Sequence, residues 1–474
     1  MAKNTNLIPW SVQDVLDATG GILVSGSRNH NFGGVGIDSR TITSVDLFVA
    51  IEGDRHDGHC FATDLIDSGV HGLVAARDKI DTLPCSRWQK QGVVCIAVDD
   101  TTRALGDMAA FNRKRAHVSV VAVTGSNGKT STRAMITAVI AGRHATLVPE
   151  DNFNNEIGLP LTLLQLTPAH RWAVMELGMN HFGEIRRLAE ICSPDMGIIT
   201  NIGPAHLEGL GSIDGVMQAK AELLEKIKPG GIIILNADDP RTLQMAPKQV
   251  LEVLLFGMGA NADIKGKAMG APNRKNSFIL ALPAEEIRID LQVHGDFMIA
   301  NALAAAAVGY QLGFSADEIK TGLESFQPVS GRMNVMQTSM GLNIIDDTYN
   351  ANPGSMAAAI KTLMVLAAGN PAIMVAGDML ELGDQATSLH FEIGGKAACE
   401  GIGRLYSTGS FSQVIADGAL AQGMDAGNIF IGSQAEIIND LQQYLRPDHW
   451  VLVKGSRGMA LERTVREIRN WANK

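Results

Sequence analysis

The chain has 474 residues, 46% hydrophobic and 19% charged, and its 40 basic and 50 acidic side chains give a formal net charge of −10. That balance excludes a disordered charged chain, and it argues against nucleic acid or an anionic membrane surface as the main partner. At roughly 150 residues per domain the length predicts about three domains, and 50 glycines against 14 Phe, 5 Trp and 4 Tyr favour an α/β fold with tight strand-to-helix turns.

In chain order, residues 1–115 form a first, smaller α/β block with strands predicted at 47–51, 72–76 and 93–98 and an amphipathic helix over 103–116. A second block, 116–328, opens with Val118-Ser-Val-Val-Ala-Val123, β-branched and unbroken, as a strand covered on both faces requires. Helices from 129, over 183–191 and over 214–227 then alternate with strands at 172–177, 196–202 and 231–235. Such alternation implies βαβ units and a doubly wound, mostly parallel sheet. Antiparallel strands are expected near 262–293, followed by an alanine-rich helix over 301–312 and another after Ser315. The third block, 329–474, repeats the alternation with strands at 343–347, 372–376, 405–408, 429–431 and 451–454 and a final helix from about 459, a second Rossmann-like domain.

Five cysteines (Cys60, Cys85, Cys95, Cys192, Cys399) without C-x-x-C spacing predict free thiols in a reducing compartment and no zinc site. Asp14 and Asp17 interrupt the first twenty residues, which do not read as a signal peptide. No apolar run is long and unbroken enough for a membrane span. A cytoplasmic protein is expected.

The sharpest local signal is Thr124-Gly125-Ser126-Asn127-Gly128-Lys129-Thr130, between a buried strand and a helix. Glycines let backbone N–H groups turn toward phosphates, the helix N-terminus favours their charge, and Lys129 reaches the terminal phosphates. Thr130 is placed to ligate Mg²⁺. The loop is the shorter G-x-x-G-K-T, because position 123 is Val rather than Gly. Glu176 follows at the carboxyl end of a strand, where ligands bind in open α/β sheets, and is a candidate Mg²⁺ ligand. His206 and Lys220 occupy the same edge and the next helix; taken singly, each also suits packing or a solvated face. Asn152, Asn154 and Asn155 either cap a helix or orient a phosphate or carbonyl. Asp346-Asp347-Thr-Tyr349-Asn-Ala-Asn352 carries paired acids suited to metal, ribose or general-base work, or to capping. Lys454-Gly-Ser456-Arg457 suits an anionic substrate, and Asp38-Ser39-Arg40 is a polar turn.

Together these segments resemble the Mur ligase family, ATP-dependent amide-bond-forming enzymes of peptidoglycan precursor synthesis. The likeness rests on T-G-S-N-G-K-T-S-T from Thr124, D-N-F-N-N-E-I-G-L-P from Asp151, E-L-G-M-N-H-F-G-E-I from Glu176, T-N-I-G-P-A-H-L-E-G-L-G-S from Thr200, D-D-T-Y-N-A-N-P from Asp346, G-D-M-L-E-L-G from Gly377 and V-K-G-S-R-G-M from Val453. It spans nearly the whole chain, and the shortened phosphate loop is the family's form. Tyr349–Pro353 and the 176–184 segment favour the members that join D-alanyl-D-alanine to UDP-N-acetylmuramoyl-tripeptide. Members that add one amino acid, and folylpolyglutamate synthetases, are the nearest alternatives; a nucleotide-binding switch is the alternative of another class.

The resemblance implies catalytic roles for Lys129, His206 and Lys220, with ATP bound by the loop 124–130, Asn301 at the adenine, Arg332 at the phosphates and Asp347 at the ribose. It implies two Mg²⁺ ions, held by Thr130 and Glu176 and by His206 and a carbamylated Lys220. Ser39, Arg40, Asn154, Asn155, Tyr349, Asn352, Lys454, Ser456 and Arg457 are assigned to the substrates, and a monomer is expected. One departure stands out: Phe297 and Met298 occupy places where similar ligases usually carry His-Asn, which removes one expected adenine hydrogen bond.

Overall fold

The computed structural model describes residues 7–53, 56–150, 152–246, 251–269 and 276–474. Asp151, which opens the amide-rich motif, lies outside the described residues, as do residues 270–275 within the predicted antiparallel segment. The architecture is α/β in three domains, each built on a mostly parallel sheet.

The first sheet orders its strands Ile22–Ser25, Val94–Val98, Gly72–Ala76, Asp46–Val49 and Gly34–Gly36, with only the first pairing antiparallel. Its closing helix, Thr101–Ala116, packs on central-domain helices Gly158–Leu163 and Glu184–Cys192, so the first domain is anchored to the second by more than the chain. Arg187 reinforces this contact, donating to the Arg103 carbonyl at 3.0 Å and to Asp107 at 2.8 Å.

The central sheet has nine strands among the described residues. The parallel run is Glu252–Gly257, Ile232–Asn236, Met196–Ile199, Ser119–Thr124, Trp172–Glu176 and Thr146–Leu147. Strand Ile264–Met269 joins parallel to 252–257, and Ser277–Ala281 and Glu286–Asp290 follow antiparallel, as the sequence predicts. Ser119–Thr124 lies between Trp172–Glu176 and Met196–Ile199. The chain reverses its winding there, and the crevice above the carboxyl ends of these strands is the natural ligand site of a doubly wound sheet. Val120, Val121, Ala122 and Val123 are fully buried; each valine so covered contributes about 1.5–3 kcal/mol.

Several predicted boundaries move, and three of the larger shifts have a local reason. The strand 196–202 ends at Ile199, because Thr200 and Asn201 turn away to bond the phosphate loop. The helix 214–227 ends at Ala221 and resumes as a short 3-10 turn; the Glu222 carboxylate leaves it to accept from Gly183 and Arg186 N–H at the start of helix Glu184–Cys192. The alanine-rich helix starts earlier, at Phe297, and runs to Gln311. Its small side chains let it pack closely on the phosphate-loop helix Lys129–Ile140, which brings Asn301 to the loop.

The third sheet runs Asn334–Gln337, Asn343–Asp347, Trp450–Lys454, Ala372–Ala376, Arg404–Ser407 and Ile429–Ile431, antiparallel only at its first pairing. Its carboxyl edge faces that of the central sheet.

Candidate active site

Between these edges lies a cavity of about 1060 Å³, lined from both domains. Its floor is the phosphate loop. Gly125 has φ +151 and packs so tightly that a Cβ would stand 1.8 Å from Thr200 Oγ1; Gly128 has φ +83, and a Cβ there would stand 2.3 Å from Asn301 Oδ1. Side chains are thus excluded at both turns, the small backbone a phosphate loop requires. The loop is held from outside: Thr124 Oγ1 donates to the Leu177 carbonyl, Ser126 exchanges hydrogen bonds with Gly203, and Asn127 N–H donates to Asn201 Oδ1 at 2.9 Å. Lys129 Nζ folds back onto the Gly125 carbonyl at 2.8 Å. Burial and the neighbouring Arg332 lower its pKa, while Glu176 opposes them.

Glu176 is 2% exposed. Its Oε1 accepts from Asn154 at 3.0 Å and Arg133 stands 3.9 Å from Oε2, yet Oε2 has no hydrogen-bond partner. A buried carboxylate oxygen left open toward a phosphate loop fits Mg²⁺, which takes one or two protein oxygens and completes its shell with substrate phosphates and water. Among the described residues no three His, Cys, Asp or Glu side chains converge as a metal cage.

His206 takes a left-handed backbone, φ +55, and its Nδ1 lies 2.6 Å from Glu381 Oε2 in the third domain. Burial lowers its pKa, so the neutral ring, the form that can bind a metal, is favoured at neutral pH. Lys220 is 1% exposed and does not itself line the cavity. Burial, aided by the charge of Lys129, pulls its pKa well below 10.5. No carboxylate forms an ion pair with it among the described residues. An amine so deprived of counter-charge fits conversion to a carbamate, because its neutral form reacts with carbon dioxide and the product is an anion.

The third domain supplies the roof. Arg332 donates to Thr130 Oγ1 at 3.2 Å and lies over the Tyr349 ring at 4.0 Å, and Arg457 approaches the same ring at 5.7 Å. Asn352 Nδ2 donates to Asn127 Oδ1 at 2.8 Å. Asp347 pairs with Lys454 at 2.6 Å, and Lys454 also donates to the Asn350 carbonyl. Ser456 accepts from Leu380 N–H.

Most of the residues singled out in the sequence therefore meet in one cavity, with Asn301 in its wall and Thr124 and Gly125 beneath the loop. Asn301 Oδ1 accepts from Thr132, and its amide N–H faces the Met298 sulfur at 3.6 Å, so a thioether occupies the position of the expected polar partner. Asn155 borders the cavity, and its Oδ1 accepts from Gly158 N–H at 2.9 Å at the head of the helix Gly158–Leu163. Ser39 and Arg40 lie apart from this cavity; Arg40 is held by Asp38 two residues away and its side chain is 86% exposed. Asn201 and Glu381 are unexpected members of the site: both lie inside segments that carry the family resemblance, but their partners are 74 and 175 residues away in the chain.

Fold and site together define a three-domain α/β protein whose nucleotide-type phosphate loop is roofed by its third domain. The profiles of the Mur ligase family catalytic domain, the Mur ligase middle domain and the Mur ligase glutamate ligase domain match residues 31–113, 123–309 and 331–457. The chain is 36% identical to the UDP-N-acetylmuramoyl-tripeptide–D-alanyl-D-alanine ligase of Escherichia coli (strain K12), over 91% of this chain and 92% of that one. The crystal structure of MurF from Acinetobacter baumannii superposes with a TM-score of 0.87 at 32% identity, covering 98% of this chain and 100% of that one. MurF ligase from Thermotoga maritima, in complex with ADP, gives 0.82 at 25% identity, covering 93% and 97%. This chain belongs to the Mur ligase family.

Proposed function

We propose that the chain is an ATP-dependent ligase that joins D-alanyl-D-alanine to UDP-N-acetylmuramoyl-tripeptide, forming the pentapeptide precursor of peptidoglycan. The observation that carries this reading is the phosphate loop and Glu176 of the second domain facing Arg332, Lys454 and Arg457 of the third across one cavity. The name of the E. coli relative supports the choice of substrates, and the ADP complex of the T. maritima relative supports ATP as the nucleotide.

A carboxylate is a poor acylating agent. In this reading the tripeptide's terminal carboxylate oxygen attacks the γ-phosphorus of ATP, the bond to the β,γ-bridging oxygen breaks, and ADP and an acyl phosphate result. Lys129 neutralises charge on the moving phosphoryl group from the loop side and Arg332 from the roof, so positioning and electrostatics suffice without a protein nucleophile. The dipeptide's neutral amine then attacks the acyl carbon, and inorganic phosphate leaves as the amide forms. Mg²⁺ when bound would neutralise phosphate charge. Thr130 and Glu176 would hold one ion, His206 and the carbamate of Lys220 a second. Asn301 would contact the adenine and Asp347 the ribose. Asn154, Asn155, Tyr349, Asn352, Lys454, Ser456 and Arg457 would contact the substrates. The third domain excludes water that would otherwise hydrolyse the acyl phosphate.

We assign residues 1–115 to the UDP-muramoyl substrate, with Ser39 and Arg40 in its pocket, 116–328 to ATP, and 329–474 to the Rossmann-like closing domain. No helix among the described residues is long and apolar enough to cross a membrane, and we read the enzyme as a cytoplasmic monomer. The test is isotopic: tripeptide labelled with ¹⁸O in its terminal carboxylate should transfer one ¹⁸O to the released phosphate and yield pentapeptide by mass. Unlabelled phosphate alongside pentapeptide would rule out the acyl phosphate.

A further inference from the structure

The loop 377–383 of the third domain carries a carboxylate to which the reaction gives no task. Glu381 has φ +64 and His206 has φ +55, two side-chain-bearing residues in the left-handed region on opposite sides of the domain junction. Their side chains meet at 2.6 Å, and Glu208 N–H donates to the Glu381 carbonyl at 3.1 Å. Such backbone strain persists only where the surroundings over-determine it.

Here the surroundings are explicit. His390, fully buried and stacked on Phe411, accepts from Met379 N–H at its Nε2 and turns its Nδ1 to the Ala386 carbonyl. The Asp378 carboxylate accepts from Ser410 and Phe411 N–H, and the Ser456 hydroxyl accepts from Leu380 N–H. The loop is thus a braced finger with Glu381 near its tip.

We propose that Glu381 is a positioning residue that makes the His206 site depend on docking of the third domain. Its carboxylate accepts the proton of His206 Nδ1, which fixes the tautomer and ring plane and leaves the Nε2 lone pair free to bind a metal. The carboxylate belongs to the third domain, so this orientation exists only while that domain lies against the second. Phosphoryl transfer is thereby tied to the presence of the roof. The inference rests on the reading of His206 as a metal-binding side chain.

The experiment uses the full chain labelled with ¹⁵N-histidine and free of metal. The wild type should show His206 as the Nδ1–H tautomer. Glu381→Ala should lose that preference, whereas Glu381→Gln, whose amide oxygen still accepts, should keep it. In turnover, E381A should lower kcat about tenfold or more, with the KM for ATP and the melting temperature close to wild type, and E381Q should recover most of the loss. An unchanged tautomer and kcat in E381A would overturn the proposal. His206→Ala, titrated with Mn²⁺ by electron paramagnetic resonance, separates the two levels. Lost affinity in H206A beside an unperturbed E381A refutes the proposal alone; wild-type affinity in H206A refutes the reading of His206 as well.

Discussion

Lys220 gives the most exacting test of the site's electrostatics. It is buried beside Lys129, without a carboxylate partner among the described residues, and its pKa lies well below 10.5 because burial disfavours the ammonium. The unfolded chain therefore binds more protons than the folded one. Stability contributed at this position is full above pH 10.5 and is lost as pH falls toward the lowered folded value. Lys220→Met keeps the length of the side chain and removes the charge. A buried polar group without a partner costs about 1–3 kcal/mol, more when charged, so relief of ~2 kcal/mol is the reasonable expectation. For a domain the size of the second, that raises the melting temperature by roughly 4–8 °C. Calorimetry of bicarbonate-free protein at pH 7 and pH 9 should show K220M to be the more stable form, with a smaller gap at the higher pH, while its ligase activity is lost. Added ¹³C-bicarbonate should stabilise the wild type and give a carbamate carbon resonance that K220M lacks. A variant less stable than the wild type at pH 7, or no bicarbonate effect in either protein, would refute the reasoning.

Three further substitutions probe the cavity from different sides. Gly128→Ala forces a Cβ to 2.3 Å from Asn301 Oδ1 at φ +83; strain of about 1–3 kcal/mol should weaken ADP binding by roughly 5- to 150-fold in titration calorimetry, with the fold intact by circular dichroism. Lys454→Met strands Asp347 without its partner at 2.6 Å, so urea unfolding should report a loss of about 3–5 kcal/mol, largely recovered in K454M/D347L. Arg332→Ala removes the donor to Thr130 and the cation over Tyr349; losing ~2 kcal/mol should lower kcat/KM for ATP about thirtyfold.

What could be read from sequence was local. Strands Gly72–Ala76, Asn343–Asp347 and Ala372–Ala376 have the predicted bounds because β-branched and apolar runs end at polar turns. The phosphate loop was legible because one short stretch holds all its chemistry. Strand Glu252–Gly257 went unread, since a run such as E-V-L-L-F-G suits a strand or a buried helix equally. The start of the alanine-rich helix was missed because that helix is apolar all round and offers no periodic edge. Pairings across distance were beyond reach. Asp347 and Lys454 end adjacent strands of one sheet although 107 residues part them, and nothing in either motif announces the other. The same holds for His206 and Glu381, whose meeting depends on how two domains dock. In the first domain, Asp38-Ser39-Arg40 reads from sequence only as a polar turn, so the substrate role given to Ser39 and Arg40 rests on the family resemblance alone.

The most direct test of the ligase reading is phosphate release from ATP and Mg²⁺ with UDP-N-acetylmuramoyl-tripeptide, measured with and without D-alanyl-D-alanine. Sustained release that requires both, with one pentapeptide formed per phosphate, is the predicted result. Turnover supported by single amino acids and not by the dipeptide would contradict the assigned substrate, and failure to consume ATP with any such pair would contradict ligase chemistry itself.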